Sequence, residues 1–598
     1  MTHRKYLATT AISGVWDLDR ELLLLGPWCL TEDTKKLLEG RHYALVESPW
    51  RPFASKVREA ADYCFKIYEE ILPELGRELN NLHSVSYPEG YWKVLFGPWL
   101  LYFIGVLYER FKRLENAFRL YPDSYTHVLP RSSCNLATWD TRGFWNNSME
   151  DDFYNLKIFS IIAHHMGVSS REISGMSEVE IKPVVVKRNW KRKLFQILAR
   201  PSLAKFLTSG HVVLAEMYHL SPLDYLRLSM KTGLGLFHFI GLDSDFRIPE
   251  GCSGYSPGIR QTLKLGRDKE GFKRLLCQAI PSAIPMCFME NYHSYRNSVD
   301  KLNSVRVIGS VAGWYVMDRF KFSVAEAVAR GARLADFQQG GGYATPLVSA
   351  HHEGLSLGKE LLYTWGWDYK VGYWRKRSRL PSPHLSKLRD TYAYRVDKVL
   401  YVGTWLPRYP LRFQTGSSPE EFVSYPEDTK KFLCSLPEGL RPYILYRPEP
   451  SDTGCSIKNI VKDACPQAEL LINLGAFSRL TDWMRKVRIC VIDHPYTSYI
   501  EALAINVPCI FFWNHDVYVM RPEAEESFEL LRKAGILYKN PEEAAAKLSE
   551  VFDDPWTWWG SEEVQGARNS FLEKFGYSSK DWLDRWAAEV RSLNSGIE

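Results

Sequence analysis

Apolar positions recur with two different periods along this chain. Between residues 53 and 83, Tyr63, Ile67, Ile71, Leu75 and Leu79 fall on one stripe at helical spacing, which predicts a long amphipathic helix. A second helix is expected at about 152–167, behind the pair Asp151-Asp152, whose charges suit the positive end of a helix. Short unbroken apolar runs read as buried strands: 21–25, closed by a turn at Gly26; 211–216, ending in Glu216; 306–310; and 333–337, with a helix at about 319–330 between the last two. Strand, helix and strand at this spacing predict a parallel sheet.

Near residue 380 the texture changes. Basic residues occupy 375–379, Pro381 and Pro383 interrupt structure, and a new apolar run begins at 398–402. Runs at 443–447, 470–472, 489–492 and 509–512 then alternate with helices or loops, the pattern of a doubly wound α/β domain. The boundary is placed at 385/386, between an N-terminal α/β domain (1–385) with helical insertions and a Rossmann-like C-terminal domain (386–598). A last helix at about 579–593 is expected to pack back on the body.

At 598 residues the chain is too long for one hydrophobic core. A net charge of +6 suits an anionic small substrate or a membrane surface and falls short of a nucleic-acid footprint. The densest basic run, 187–193, reads as a solvated loop, with anionic lipid headgroups as the second reading. Eleven cysteines include no C-x-x-C pair and no zinc spacing, and residues 1–16 lack the apolar core of a signal peptide. A reducing, cytoplasmic setting is expected. The longest uncharged apolar run, 94–108, is shorter than the roughly 20 residues a bilayer needs and is interrupted by Gly97-Pro98. It reads as a buried helix after a turn. The basic residues Arg110, Lys112 and Arg113 behind it leave peripheral membrane contact as a further expectation.

Candidate chemistry concentrates in Asp493-His494-Pro495-Tyr496-Thr497-Ser498 and the helix that follows. A strand ends at Ile492 or Asp493, Thr497 or Ser498 is expected to cap the helix, and Asn506 to close it in a left-handed conformation. A helix N-terminus at the carboxyl end of a parallel sheet offers free N–H groups to phosphate. Glu501, one turn in, is within reach of a ribose hydroxyl or serves as a capping carboxylate, and His494 is a ligand contact or an ordinary loop histidine. The second constellation is Gln338-Gln339-Gly340-Gly341-Gly342-Tyr343, whose glycines permit close approach of backbone to a ligand without matching a Walker A or dinucleotide fingerprint. His351-His352-Glu353 lacks a third spaced ligand, so no metal or other cofactor is expected. Glu216 and Glu290 are read as carboxylates following strands. Each is a candidate base or nucleophile, with a salt-bridged structural role as the alternative. Arg408 and Arg447, read as following C-domain strands, are candidates to pair with a donor carboxylate.

Several segments resemble a family of transferases from bacterial surface-polysaccharide (O-antigen) loci. They are Leu7-Ala8-Thr9-Thr10 with Leu24-Leu25-Gly26-Pro27-Trp28-Cys29, Tyr91-Trp92-Lys93-Val94-Leu95-Phe96-Gly97-Pro98-Trp99-Leu100, the triple-glycine segment, Trp365-Gly366-Trp367, 497–508, Ala534-Gly535-Ile536-Leu537 and Trp556-Thr557-Trp558-Trp559. That family is more distantly similar to retaining β-Kdo transferases, which use CMP-activated 3-deoxy-manno-octulosonic acid on a GT-B-like fold. The resemblance implies two Rossmann-like domains facing a cleft, a nucleotide-sugar donor and a glycan or lipid-linked acceptor. It also implies that His494-Pro495, with Ser498, meets the CMP phosphate while Glu501 faces the nucleoside. Gln339 stands where the family has histidine, and Glu216 is the nearest place for the aspartate nucleophile of the Kdo enzymes. The leading expectation is a glycosyltransferase using a CMP-activated acidic sugar. The alternatives are a CDP-dependent polyol-phosphate transferase and a non-catalytic nucleotide- or glycan-binding relative.

Overall fold

A computed structural model describes residues 4–173, 211–217, 220–233, 236–239, 248–266, 269–299, 301–349, 361–371, 376–416, 418, 420–448, 454, 456–472 and 479–595. Three parallel sheets organise them. The first holds β1 (Tyr6–Ala8), β2 (Leu22–Leu24) and β3 (Tyr43–Leu45); a bridge from Tyr6 to Tyr125 joins it to the pair β4 (Thr126–Val128) and β5 (Ser170–Glu172). The second comprises β6 (Val212–Ala215), β7 (Leu236–Phe239), β8 (Val307–Ser310), β9 (Arg333–Phe337), β10 (Leu361–Thr364) and β11 (Lys376–Arg379), in the order β7-β6-β8-β9-β10-β11. The third comprises β12 (Val396–Val402), β13 (Ile444–Arg447), β14 (Glu469–Leu470), β15 (Val487–Ile492), β16 (Cys509–Phe512) and β17 (Leu537–Tyr538), in the order β14-β13-β12-β15-β16-β17.

The third sheet shows why such runs form strands buried on both faces. Alternate residues point to opposite sides, so Val399, Tyr401, Ile489 and Val491 enter one core while Leu400, Val402, Cys490 and Ile492 enter the other. The first two sheets instead share a single core with the long helices, joining Leu23, Ile67, Phe103, Val213 and Phe337. The predicted stripe forms one helix, Phe53–His83, with Ile67, Ile71, Leu75 and Leu79 fully buried. The run at 94–108 divides between helices Glu89–Leu95 and Gly97–Leu120, bent by 62° where Gly97-Pro98 breaks the hydrogen-bond ladder. Among the described residues no single helix is long and apolar enough to cross a membrane.

Arg110 and Arg113 correct the expectation of membrane contact behind that run. Both are buried in an ionic network with Glu109, and Arg113 Nη2 also reaches Glu420 Oε1 at 2.7 Å. The basic run at 187–193 lies outside the described residues.

Helix Trp582–Ser595 returns from the third sheet to the second. Tyr363 on β10 donates to Glu589 Oε1 (2.6 Å), His211 N–H donates to Asn594 Oδ1 (2.9 Å), and Trp586 Nε1 donates to the Pro381 carbonyl (2.8 Å). The carboxyl edges of the second and third sheets face one another through paired loops, with bridges Pro346 to Met520 and Ser349 to Gln414. This is the GT-B-like arrangement, two Rossmann-like units across a cleft, with the small first sheet and the long helices enlarging the N-terminal side.

Candidate functional site

Each large sheet has one point where strand order reverses, and that is where an open α/β sheet leaves a crevice for ligand. In the third sheet it lies between β12 and β15. Asp493 and His494 follow β15 directly and are 3% and 4% exposed. His494 Nδ1 meets Asp493 Oδ1 at 2.9 Å. Asp493 Oδ2 accepts from the Tyr425 hydroxyl (2.8 Å), whose oxygen accepts the Thr404 N–H (3.0 Å) just beyond β12. Tyr425 therefore ties the two reversal strands together. With Nδ1 engaged by Asp493, Nε2 is the ring nitrogen left to meet a ligand.

Helix Thr497–Ile505 begins three residues after His494. Its N-cap is Tyr496, without a side-chain cap, so neither Thr497 nor Ser498 has the capping role expected of it; they are the first two residues of the helix. The Thr497 hydroxyl accepts the Gly341 N–H at 3.3 Å instead. Asn506 closes the helix at φ +69°, as expected, and its Oδ1 accepts from Trp559 Nε1 (2.8 Å). Pro495 is buried between His494 and the helix, and Ser498 is partly exposed. Glu501 Oε1 accepts from His384 Nε2 at 2.6 Å, His384 lying in the segment linking the second and third sheets.

The triple glycine is approached by protein backbone. A Cβ at Gly340 would stand 2.6 Å from Thr497 Oγ1, and one at Gly341 would stand 2.5 Å from the Tyr496 carbonyl oxygen. Gly342 is open by comparison, its nearest such neighbour being Tyr496 Cδ1 at 3.9 Å. Gln338 fixes the loop from the other side. Its Nε2 donates to the Gly340 carbonyl (2.9 Å), and its Oε1 accepts from Trp365 N–H (2.7 Å) and Trp367 Nε1 (2.8 Å). Gly366 between those tryptophans adopts φ +117°, where a Cβ would lie 2.4 Å from the Glu573 carbonyl. The triple-glycine and Trp-Gly-Trp segments are thus one mechanical unit seated against the helix that follows His494. Tyr343 is buried behind it.

In the second sheet the reversal lies between β6 and β8. Glu216 follows β6 there, 5% exposed and at φ +55°. An apolar pocket beside it is lined by Met217, Leu220, Val311, Phe337, Gln338 and Trp365. That pocket brings Met217, the residue after Glu216, together with Gln338, which in turn holds the glycine loop seated on the helix after His494.

Glu290 is elsewhere. Met286–Phe288 is a 3-10 turn rather than a strand, and Glu290 forms a bidentate pair with Arg260 (2.7 and 2.8 Å) while accepting the Ser256 N–H (2.9 Å). Arg408 lies six residues beyond β12 and forks onto Asp152 at 2.7 and 2.8 Å, tying the loop after β12 to the N-terminal layer. Arg447 ends β13 at the carboxyl edge, its carbonyl accepting the Gly403 N–H at 3.0 Å. Gln339 follows Gln338 at the head of the glycine loop. His351-His352-Glu353 lies outside the described residues; among the described residues no group of three histidines, cysteines or carboxylates gathers as a metal site.

Sequence reasoning passed over Tyr425, Asp493 as a partner of His494, and Glu421. Glu421 opens helix Glu421–Cys434 beside Asp493, and burial pushes its carboxyl up to about 8. Its Oε2 accepts the Ser418 N–H at 3.2 Å. Ser418 and Glu421 stand at capping-box spacing, which was the available signal.

The model of the LIC12162 family transferases matches residues 5–590. No curated protein matches. Among solved structures, Acinetobacter baumannii MurG is similar at 11% identity over 65% of this chain and 100% of its own, with a TM-score of 0.34. A Thermobaculum terrenum O-GlcNAc transferase mutant is similar at 12% identity over 90% of this chain and 99% of its own (TM-score 0.29). WaaG, a glycosyltransferase involved in lipopolysaccharide biosynthesis, is similar at 10% identity over 64% and 100% (TM-score 0.28).

Proposed function

Because the chain belongs to the LIC12162 family of transferases, we propose that it is a glycosyltransferase moving a sugar from a nucleotide-activated donor onto a surface-polysaccharide or lipopolysaccharide glycan. The donor we infer is a CMP-activated acidic sugar of the Kdo type. One observation carries the reading: a histidine oriented by a buried aspartate stands at the strand-order reversal of the third sheet, three residues before a helix whose N-cap residue makes no side-chain cap. That combination suits a phosphate, which takes hydrogen bonds from backbone N–H groups and from a positioned imidazole. The resemblance of His494-Pro495 to the pair that meets the CMP phosphate in the Kdo transferases is what favours cytidine.

In this reading His494 Nε2, the Ser498 hydroxyl and the helix N-terminus hold the donor phosphate. Arg447 pairs with the donor carboxylate, since guanidinium matches carboxylate in a fork. Glu216 faces the acceptor side and acts as base or nucleophile, with Gln339 beside the reacting centre. Gly340, Gly341, Gly342, Tyr343, Pro495 and Thr497 hold the two halves in register. Glu501 acts on the donor side through its contact with His384. Arg408, already forked onto Asp152, stiffens the loop after β12. Glu290 receives no catalytic role, both of its oxygens being engaged.

A thermal-shift titration against CMP, CDP, UDP, GDP and ADP tests the donor. Binding to the folded state stabilises it by about 2.7 kcal/mol at a hundredfold excess over Kd. A dose-dependent rise with CMP is expected. A rise with UDP or GDP alone overturns the cytidine assignment, and no rise with any nucleotide overturns the nucleotide-sugar reading.

A further inference from the structure

Helix Pro222–Lys231 connects β6 to β7 and, among the described residues, is held from one side only. Ser221 and Asp224 form a capping box at its start, and Tyr225 and Leu228 are buried beneath it. Lys231 Nζ pairs with Asp584 at 2.5 Å, and Arg591 Nη1 donates to the Lys231 carbonyl at 2.7 Å, so the inner face rests on helix Trp582–Ser595. The outer face is a different matter. Leu223, Leu226 and Met230 are 53%, 55% and 59% exposed, and their spacing places them on one stripe. No other helix among the described residues presents more than one large apolar side chain so exposed.

Charge narrows what this stripe meets. Arg227 is exposed within it. Lys231, Arg591 and Lys387 border the same helix, against the carboxylates Asp224 and Asp584. Cations therefore outnumber carboxylates around an apolar ridge about 10 Å long. Leucines and a methionine standing beside basic residues on a short amphipathic helix suit an anionic lipid surface, where apolar side chains enter the acyl boundary and guanidinium and ammonium groups meet headgroup phosphates.

Position gives the stripe a purpose. Its first exposed residue, Leu223, lies three residues beyond Leu220, which lines the apolar pocket at the carboxyl edge of the second sheet, and Glu216 lies four residues before Leu220. We propose that helix Pro222–Lys231 docks the protein on an anionic phospholipid bilayer through Leu223, Leu226 and Met230, presenting the cleft beside Glu216 to an acceptor carried on a lipid. The docking stands on the exposed face alone; the lipid-linked acceptor rests on the glycosyltransferase reading above.

Co-sedimentation of the full chain with vesicles of phosphatidylethanolamine and phosphatidylglycerol tests it. The wild-type protein is expected to pellet with these vesicles, to pellet less with phosphatidylcholine alone, and to be released by salt. Leu223→Ser, Leu226→Ser and Met230→Ser together should lower the bound fraction about tenfold, because affinity follows the apolar area inserted. Leu530→Ser, an exposed leucine on another helix, should leave it unchanged. The melting temperature and nucleotide response of the triple variant report whether it folds. Arg227→Glu, a change at an exposed position, should weaken binding to the anionic vesicles independently. Equal pelleting of wild type and both variants, or no pelleting of wild type, overturns the proposal. So does a triple variant that turns a dimer into a monomer by light scattering, since the face would then belong to a second copy of the chain. Nucleotide binding that survives in the triple variant keeps this outcome separate from the fate of the donor site.

Discussion

Replacing Gly341 by alanine tests the seating of the glycine loop on the His494 helix. The added Cβ would lie 2.5 Å from the Tyr496 carbonyl oxygen, 2.8 Å from Ile500 Cδ1 and 3.2 Å from the Tyr496 carbonyl carbon. The first contact falls about 1 Å inside normal van der Waals separation. Ile500 Cδ1 has a rotamer with which to yield, whereas Tyr496 contributes main chain immediately before the helix. Either the two sheets part or the helix start tilts. Overpacking of this kind costs about 1–3 kcal/mol, from which the reduced freedom of the unfolded chain returns about 0.4–1 kcal/mol. A net loss of about 1–2 kcal/mol is expected, seen by calorimetry as a fall of a few degrees. Nucleotide affinity should fall as well, because the displaced backbone leads into the helix proposed to hold the phosphate. Gly342→Ala is the internal control: its nearest neighbour is 3.9 Å away, and it should be close to neutral. A Gly341→Ala protein as stable as wild type, or a Gly342→Ala protein equally damaged, would refute the argument from close approach.

Two further outcomes follow from particular groups. Glu290→Ala leaves Arg260 buried without its carboxylate, so stability should fall by about 3–5 kcal/mol while nucleotide binding by the surviving folded protein is unchanged; a folded, stable variant that has lost binding would contradict the structural role. Glu421 titrates near 8 in the folded protein against an ordinary 4.5. Its neutral form favours folding, so this contribution is complete below pH 4.5 and is lost as pH rises toward about 8. Denaturant titrations should therefore show Glu421→Gln gaining on wild type across that window; parallel pH profiles would remove the raised carboxyl.

How much of this was legible depended on local pattern. The stripe of Ile67, Ile71, Leu75 and Leu79 repeats once per turn over more than three turns, and the helix it predicts runs from Phe53 to His83 as read. The central strands of the third sheet, β12, β13, β15 and β16, announced themselves because their runs are apolar and buried, whereas the two-residue edge strand β17 was not read and β14 begins a residue before the predicted 470–472. In the first sheet only β2, Leu22–Leu24 within the run 21–25, was read as a strand; β1 and β3 have three residues each, too few for any period to register. Glu290 was misread as following a strand because Cys287 and Phe288 are apolar, and a short apolar run does not distinguish a strand from a buried turn. The glycines at 340–342 were read as a place where backbone approaches a ligand; what stands against Gly340 and Gly341 is Thr497 and Tyr496, which nothing local in the sequence announces. Tyr425 was invisible for the same reason. It reaches Asp493 from a helix 68 residues earlier, and only the fold brings the two together.

The most direct test of the central claim is calorimetric titration of CMP into the wild-type protein and into His494→Ala. The account predicts saturable binding to wild type and a loss of at least about tenfold in affinity in the variant, or 1.4 kcal/mol, with the melting temperature of the unliganded protein unchanged within a degree or so. Equal affinity in the two proteins would contradict the role given to His494, and with it the phosphate site on which the proposed donor chemistry stands.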